Sequence, residues 1–156
     1  MITPQYIAGF FDGEGCITRK DKKHCSIAIC VTQTNFEVLD EIKRFFGFGN
    51  IREIKKRKLH WKEAWSYDVQ DQFQIKQFLV VIEPYLLVKK EKAQKAIEEI
   101  SNYQEKIEIR KNMAQEARKL RKKGYSLRKI AKEIGSNYQT VKRWVDGSEN
   151  VRIANL

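Results

Sequence analysis

Apolar residues return along this chain with two different periods, and the switches between them mark out its elements. Thr3-Pro4 offers a capping hydroxyl and then a proline for the first turn, which predicts a helix over residues 4–12 ending in Gly13-Glu14-Gly15. A strand is expected over 14–20, a turn at Asp21-Lys22-Lys23 and a second strand over 24–33. In that strand Ile27, Ile29 and Val31 alternate with Ser26, Ala28 and Cys30, the period-two pattern of a half-buried antiparallel strand. Asn35 caps a helix to about residue 46, with Phe36, Leu39, Ile42, Phe45 and Phe46 along one stripe, and Gly47-Phe48-Gly49 breaks it. Residues 50–58 and 61–69 read as a second hairpin, 72–82 as a helix that stops before Pro84, and 85–88 as a turn into a long helix from 89. The first unit therefore has the order α-β-β-α-β-β-α-α over residues 1–103. A helical connector is expected over 104–112. Three short helices follow at 113–123, 127–134 and 138–145, separated by Gly124-Tyr125 with a Ser126 cap and by Gly135-Ser136-Asn137. They form a small all-α module over 113–146, with a tail at 147–156.

Composition narrows the partners. The 156 residues are 42% hydrophobic, enough for one ordinary core with an appendage. Lys and Arg outnumber Asp and Glu by 31 to 20, a net +11, which gives the chain a reason to bind polyanions. The excess is uneven: 17 against 14 in residues 1–104, and 14 against 6 in 105–156. Cys16, Cys25 and Cys30 are odd in number and lack metal-ligand spacing, so they read as reduced, semi-buried thiols. No run reaches transmembrane length, and Met1-Ile2-Thr3-Pro4 lacks a basic and apolar leader, so an intracellular, reducing compartment and no membrane partner are expected.

One stretch concentrates chemistry: Ile7-Ala8-Gly9-Phe10-Phe11-Asp12-Gly13-Glu14-Gly15. A mid-helix glycine costs about 1 kcal/mol of helix propensity, and close approach of another backbone would justify it. Asp12 and Glu14 sit where the helix end already carries partial negative charge, a misplacement that a bound cation would relieve. A buried helix with a flexible glycine exit accounts for the same residues. These nine residues resemble the LAGLIDADG signature, with Phe10, Phe11, Gly13 and Glu14 as variants. Val31-Thr32-Gln33 and Pro84-Tyr85-Leu86-Leu87-Val88-Lys89-Lys90-Glu91-Lys92-Ala93 match the same family of homing endonucleases, in order, over residues 3–103.

The resemblance implies an α+β fold, an αββαββα half-saddle in which a four-stranded antiparallel sheet carries helices on one face. With one motif per chain it implies a homodimer on a pseudo-palindromic double-stranded DNA target, the motif helices packing across the dyad through Ala8, Gly9 and Asp12. Glu14, with the Gly13 carbonyl, is the implied ligand of Mg²⁺ or Mn²⁺. Gln33 would orient water and Lys89 would stabilise phosphate charge, so that both strands are cut in a metal-dependent hydrolysis of the kind that propagates an intron. The family's basic residue just after Gln33 has no counterpart in Thr34-Asn35-Phe36-Glu37; Arg19, Lys43 and Arg44 are the available substitutes. An RNA maturase or a DNA-binding regulator on the same scaffold is the alternative, with RNA as the partner in the first case.

The family lays its sheet over the major groove. The corresponding positions here are Thr18, Lys20, Lys22, His24 and Ser26 from the first hairpin, and Arg52, Lys56, Arg57 and Lys58 from the second. Further on, Ala131 stands five and Gly135 nine residues into a segment counted from Leu127, with Ile130, Ile134, Val141 and Trp144 as its apolar positions. This pattern resembles the helix-turn-helix of resolvase-like DNA-binding domains, and implies that Asn137, Tyr138, Gln139, Lys142 and Arg143 face a groove.

Overall fold

The computed structural model describes residues 2–21, 26–56, 58 and 60–147, without the side chains of Lys20 and Asp21. The chain divides into two compact units, Met1–Ser101 and Asn102–Leu156.

In the first unit, helix α1 (Pro4–Glu14) starts where the Thr3 hydroxyl accepts the Tyr6 N–H at 3.3 Å. It runs two residues further than its glycines suggested and passes directly into strand β1 (Gly15–Asp21). Strand β2 (Ser26–Gln33) returns antiparallel, and helix α2 (Phe36–Phe46) is capped by the Asn35 side chain and stopped by Gly47 at φ 73°. The second hairpin, β3 (Asn50–Glu53) and β4 (Trp65–Val69), is shorter than the expected 50–58 and 61–69, and one further backbone bond, from the Ile54 N–H to the Ala64 carbonyl at 2.8 Å, continues beyond the strands. Helix α3 (Gln72–Ile82) follows, capped by Asp71, and then a 3-10 turn at Glu83–Tyr85. The strands form one antiparallel sheet in the order β1-β2-β4-β3.

One face of that sheet is the core. Ile17, Ile29, Val31, Tyr67 and Val69 pack against Ile7 and Phe11 of α1, Leu39 and Ile42 of α2, and Ile75, Phe78 and Leu79 of α3, all essentially without exposure. Phe78 centres an aromatic group with Phe11, Phe46 and Tyr67. The Tyr67 hydroxyl donates to the Phe48 carbonyl at 3.1 Å, and burial pushes its ionisation up. Two details hold the sheet in register. Gly15 leaves no room for a side chain beside the Phe11 ring. The Gln72 amide accepts the Ile27 N–H at 3.1 Å and donates to the Ile27 carbonyl at 2.8 Å, continuing the β4 ladder after its backbone has turned away.

Helix α4 (Lys90–Lys122) is continuous for 33 residues through the stretch expected as a helix, a connector and a further helix. The junction carries no helix breaker, so the backbone has no reason to stop there. In the second unit α5 (Leu127–Ile134) is capped by Ser126, and α6 (Tyr138–Asp146) by Asn137. Gly135 at φ 69° makes the turn between them. Ala114, Ala117, Ile130, Ala131, Val141 and Trp144 form their own core, and the Arg118 guanidinium donates to the Trp144 carbonyl at 2.9 Å. Among the described residues no helix is long and apolar enough to cross a membrane.

Candidate functional site

The end of α1 gathers the expected catalytic residues through three separate constraints. Glu14 is the last helical residue, and its side chain is exposed. Gly15 pairs with Val31, which brings the end of β2, and with it Gln33, alongside the same helix end. Asp12 supplies the third constraint. Its carboxylate accepts the backbone N–H groups of Leu87 at 2.7 Å, Val88 at 3.1 Å and Lys89 at 2.9 Å. The Lys89 ammonium donates in return to the Asp12 carbonyl. That carbonyl belongs to the last turn of α1, where helix carbonyls lack intrahelical donors and attract cations. Burial alone would raise the Asp12 carboxyl. The three N–H bonds and the Lys89 charge outweigh it and hold the group below the ordinary carboxylate range.

One expectation for the helix interface changes. Ala8 is wholly buried in the core of its own chain and has no surface to offer a partner. Asp12 uses both carboxylate oxygens within its own chain. Tyr6, Gly9 and Gly13 lie outward on α1 at helical spacing with half-buried Phe10 beside them, and nothing stands within 4 Å of where a Cβ would be at either glycine.

Gln33 is half-buried, and its amide oxygen accepts the Thr34 N–H at 2.8 Å and the Thr34 hydroxyl at 3.2 Å. Of the substitutes for the missing basic residue, Arg19 is paired with Glu99 and Arg44 with Asp40. Glu14 and the Gly13 carbonyl offer hard oxygen donors of the kind magnesium takes. Among the described residues no group of three or more His, Cys, Asp or Glu side chains is assembled to hold a metal. The donor chemistry of these two oxygens fits such a cation.

The sheet face away from the core forms cross-strand rows. Cys16, Cys30, Asp68 and Asn50 lie in one, and Thr32, Ser66 and Arg52 in the next. Thr18 is exposed on the same face, with its hydroxyl donating to the Ala28 carbonyl at 3.3 Å, and Ser26 is half-buried at the start of β2. Arg52 is held by Asp68 at 2.5 Å, and the Ser66 hydroxyl donates to the other Asp68 oxygen at 3.1 Å. Sequence reading missed Asp68, because an acid was not sought on a basic surface. Lys56 pairs with Glu63 at 3.1 Å, and Lys58 is exposed. Lys22, His24 and Arg57 lie outside the described residues, as does the side chain of Lys20. In the second unit Tyr138, Gln139, Lys142 and Arg143 are exposed on α6, whereas Asn137 caps it, accepting the Thr140 N–H at 2.8 Å.

Comparison with known proteins agrees with this architecture. Solved structures share the fold, two homing endonucleases among them. The homing endonuclease I-CvuI, crystallised in complex with its target in the presence of calcium, is 17% identical with a TM-score of 0.53, over 92% of each chain. The archaeal intron-encoded homing endonuclease I-Vdi141I, complexed with DNA, is 19% identical with a TM-score of 0.52, over 92% of this chain and 94% of that one. No curated protein matches the chain. The family model described as LAGLIDADG endonuclease matches residues 7–101, the span that contains the Asp12 bracket, Glu14, Gln33 and Lys89, and this chain belongs to that family.

Proposed function

We propose that the chain is a site-specific DNA endonuclease that hydrolyses both strands of a pseudo-palindromic target as a homodimer. The observation that carries this reading is the exposed Glu14 at the end of α1, with Lys89 tied to the same helix end and Gln33 brought beside it by β1–β2 pairing. Two copies joined along Tyr6, Gly9, Phe10 and Gly13 would bring two Glu14 carboxylates to one dyad. Glutamate 14 and the Gly13 carbonyl would hold a divalent cation, which supplies Lewis-acid stabilisation of an in-line phosphoryl displacement when bound.

The remaining roles fall to this chain's own groups. Gln33 orients the attacking water through its amide. An ammonium has three donors, so Lys89 can keep its bond to the Asp12 carbonyl and turn another N–H toward the developing phosphate charge. The open sheet face, with Arg52, Asp68, Thr18 and Ser26, reads base edges in the major groove. Helix α6 enters a major groove as the second helix of a helix-turn-helix, with Tyr138, Gln139, Lys142 and Arg143 toward the DNA. An intron-borne gene is the natural setting for such an activity.

The test is cleavage of a randomised duplex library with Mg²⁺, comparing the natural chain with Glu14→Gln. Double-strand cuts at one pseudo-palindromic sequence, lost in the variant, are expected. Specific binding without cleavage by either protein would overturn the nuclease reading in favour of a regulator, and selective binding of RNA would favour a maturase.

A further inference from the structure

We propose that Cys16 and Cys30 form an oxidisable dithiol on the open face of the sheet, bridged by small disulfides and reopened by thiols, and that the bridge weakens binding of nucleic acid to that face. The second half rests on the proposed DNA-binding role of the sheet; the first does not.

Register puts the two thiols together. Cys16 on β1 stands directly opposite Cys30 on β2 in the antiparallel ladder. Both are unbridged and partly exposed, and both lie on the sheet face away from the core. Directly opposed residues of antiparallel strands have Cα atoms about 4.5–5.5 Å apart, inside the range of about 4.4–6.8 Å that disulfides span. Their Cβ atoms stand at about 4.5–5.5 Å, slightly beyond the preferred separation, so closing the bond must draw the strands together and alter their twist. Disulfides under such tension are the readily reduced ones.

The surroundings give the bridge a consequence. The row that holds Cys16 and Cys30 continues through Asp68, which anchors Arg52. Cys16 lies two residues beyond Glu14, on the strand that leads directly out of α1. A change in β1–β2 twist is therefore transmitted to a base-facing row and to the helix end that carries the catalytic acid.

The chemistry balances with a low-molecular-weight disulfide as oxidant. One thiol of the pair, deprotonated, attacks an oxidant sulfur and releases the first thiolate. The second, deprotonated in turn, attacks the mixed disulfide and expels the other thiolate, and the two protons end on the two released thiols.

The experiment uses the full chain with Cys25→Ser, so that the third cysteine cannot compete. It is equilibrated with oxidised glutathione and then with dithiothreitol. Intact mass and peptide mapping should show loss of two hydrogens and a Cys16–Cys30 link that dithiothreitol reverses. Affinity for a pool of random-sequence DNA duplexes, and for the duplex recovered from the cleavage library, should fall about tenfold on bridging and recover on reduction. Cys16→Ser and Cys30→Ser, each in that background, should form no internal link, and the fraction of each that intact mass shows to be free of bound glutathione should bind at the reduced level. A folded chain that forms no link, or only mixed disulfides, overturns the dithiol; a complete link with unchanged affinity overturns the control. A reduced chain that binds no duplex overturns the DNA-binding reading and the control built on it, while the mass still decides the bridge.

Discussion

Asp12 and Lys89 hold one another twice: the Asp12 carboxylate accepts the Lys89 backbone N–H at 2.9 Å, and the Lys89 ammonium donates to the Asp12 carbonyl. The exchange joins the end of α1 to the turn before α4 across 77 positions of sequence. It places a cation at the negative end of α1 and fixes the start of a helix at the same time. Removing the carboxylate leaves three backbone N–H groups without their acceptor. Asp12→Ala should therefore cost about 2 kcal/mol of stability, read from urea midpoints, and should raise amide exchange at Leu87, Val88 and Lys89 more than elsewhere in the first unit.

The same bracket gives a pH signature. The folded-state Asp12 carboxyl lies below its ordinary value, so its contribution is complete above about pH 4, the unfolded carboxylate range, and is lost as pH falls through the lower folded value. Stability measured by urea from pH 7 down to acid should fall more steeply in the natural chain than in Asp12→Asn. Parallel curves would show that the carboxylate is not the group responsible.

Glu14 is exposed, so its replacement should leave the fold intact. Glu14→Gln should retain the melting temperature and DNA affinity of the natural chain while cleavage falls by about a hundredfold or more, the scale of losing one stabilising group at a reacting phosphate. Equal losses of binding and cleavage would mean that the residue supports structure instead.

The two exposed glycines of α1 separate folding from association. Within the chain there is room for a side chain at Gly9 and at Gly13. Gly9→Ala should stabilise the isolated chain by about 1 kcal/mol through helix propensity. Gly9→Leu should fold equally well and, if two copies join along this stripe, sediment as a monomer at concentrations where the natural chain sediments as a dimer. A dimer that survives Gly9→Leu would place the interface on another face.

Lys142 of α6 is exposed, and if α6 lies against DNA its charge neutralises a phosphate. Lys142→Gln should then reduce the slope of log affinity against log salt by about one. An unchanged slope would remove α6 from the interface.

What the sequence determined by itself was local. Alternation along Ile27, Ile29 and Val31 identified the buried face of β2, and Thr3, Asn35 and Ser126 announced three helix starts, because a cap or a period-two face is encoded within a few residues; Asn137, read as a turn residue and a groove contact, proved to be a fourth cap. The signature at 7–15 and the matching segments at 31–33 and 84–93 carried the family, since each is a short run in a definite order. Tertiary structure decided the rest. Ala8 and Gly9 are both small and adjacent, yet one turns into the core and the other outward, which depends on where α2, α3 and the sheet lie around α1. Asp12 was legible as an acid at a helix end but not as the acceptor of three N–H groups 75 to 77 residues away. Cys16 and Cys30 had no spacing to connect them; only the β1–β2 register, set by burying the alternate residues, puts the two thiols side by side.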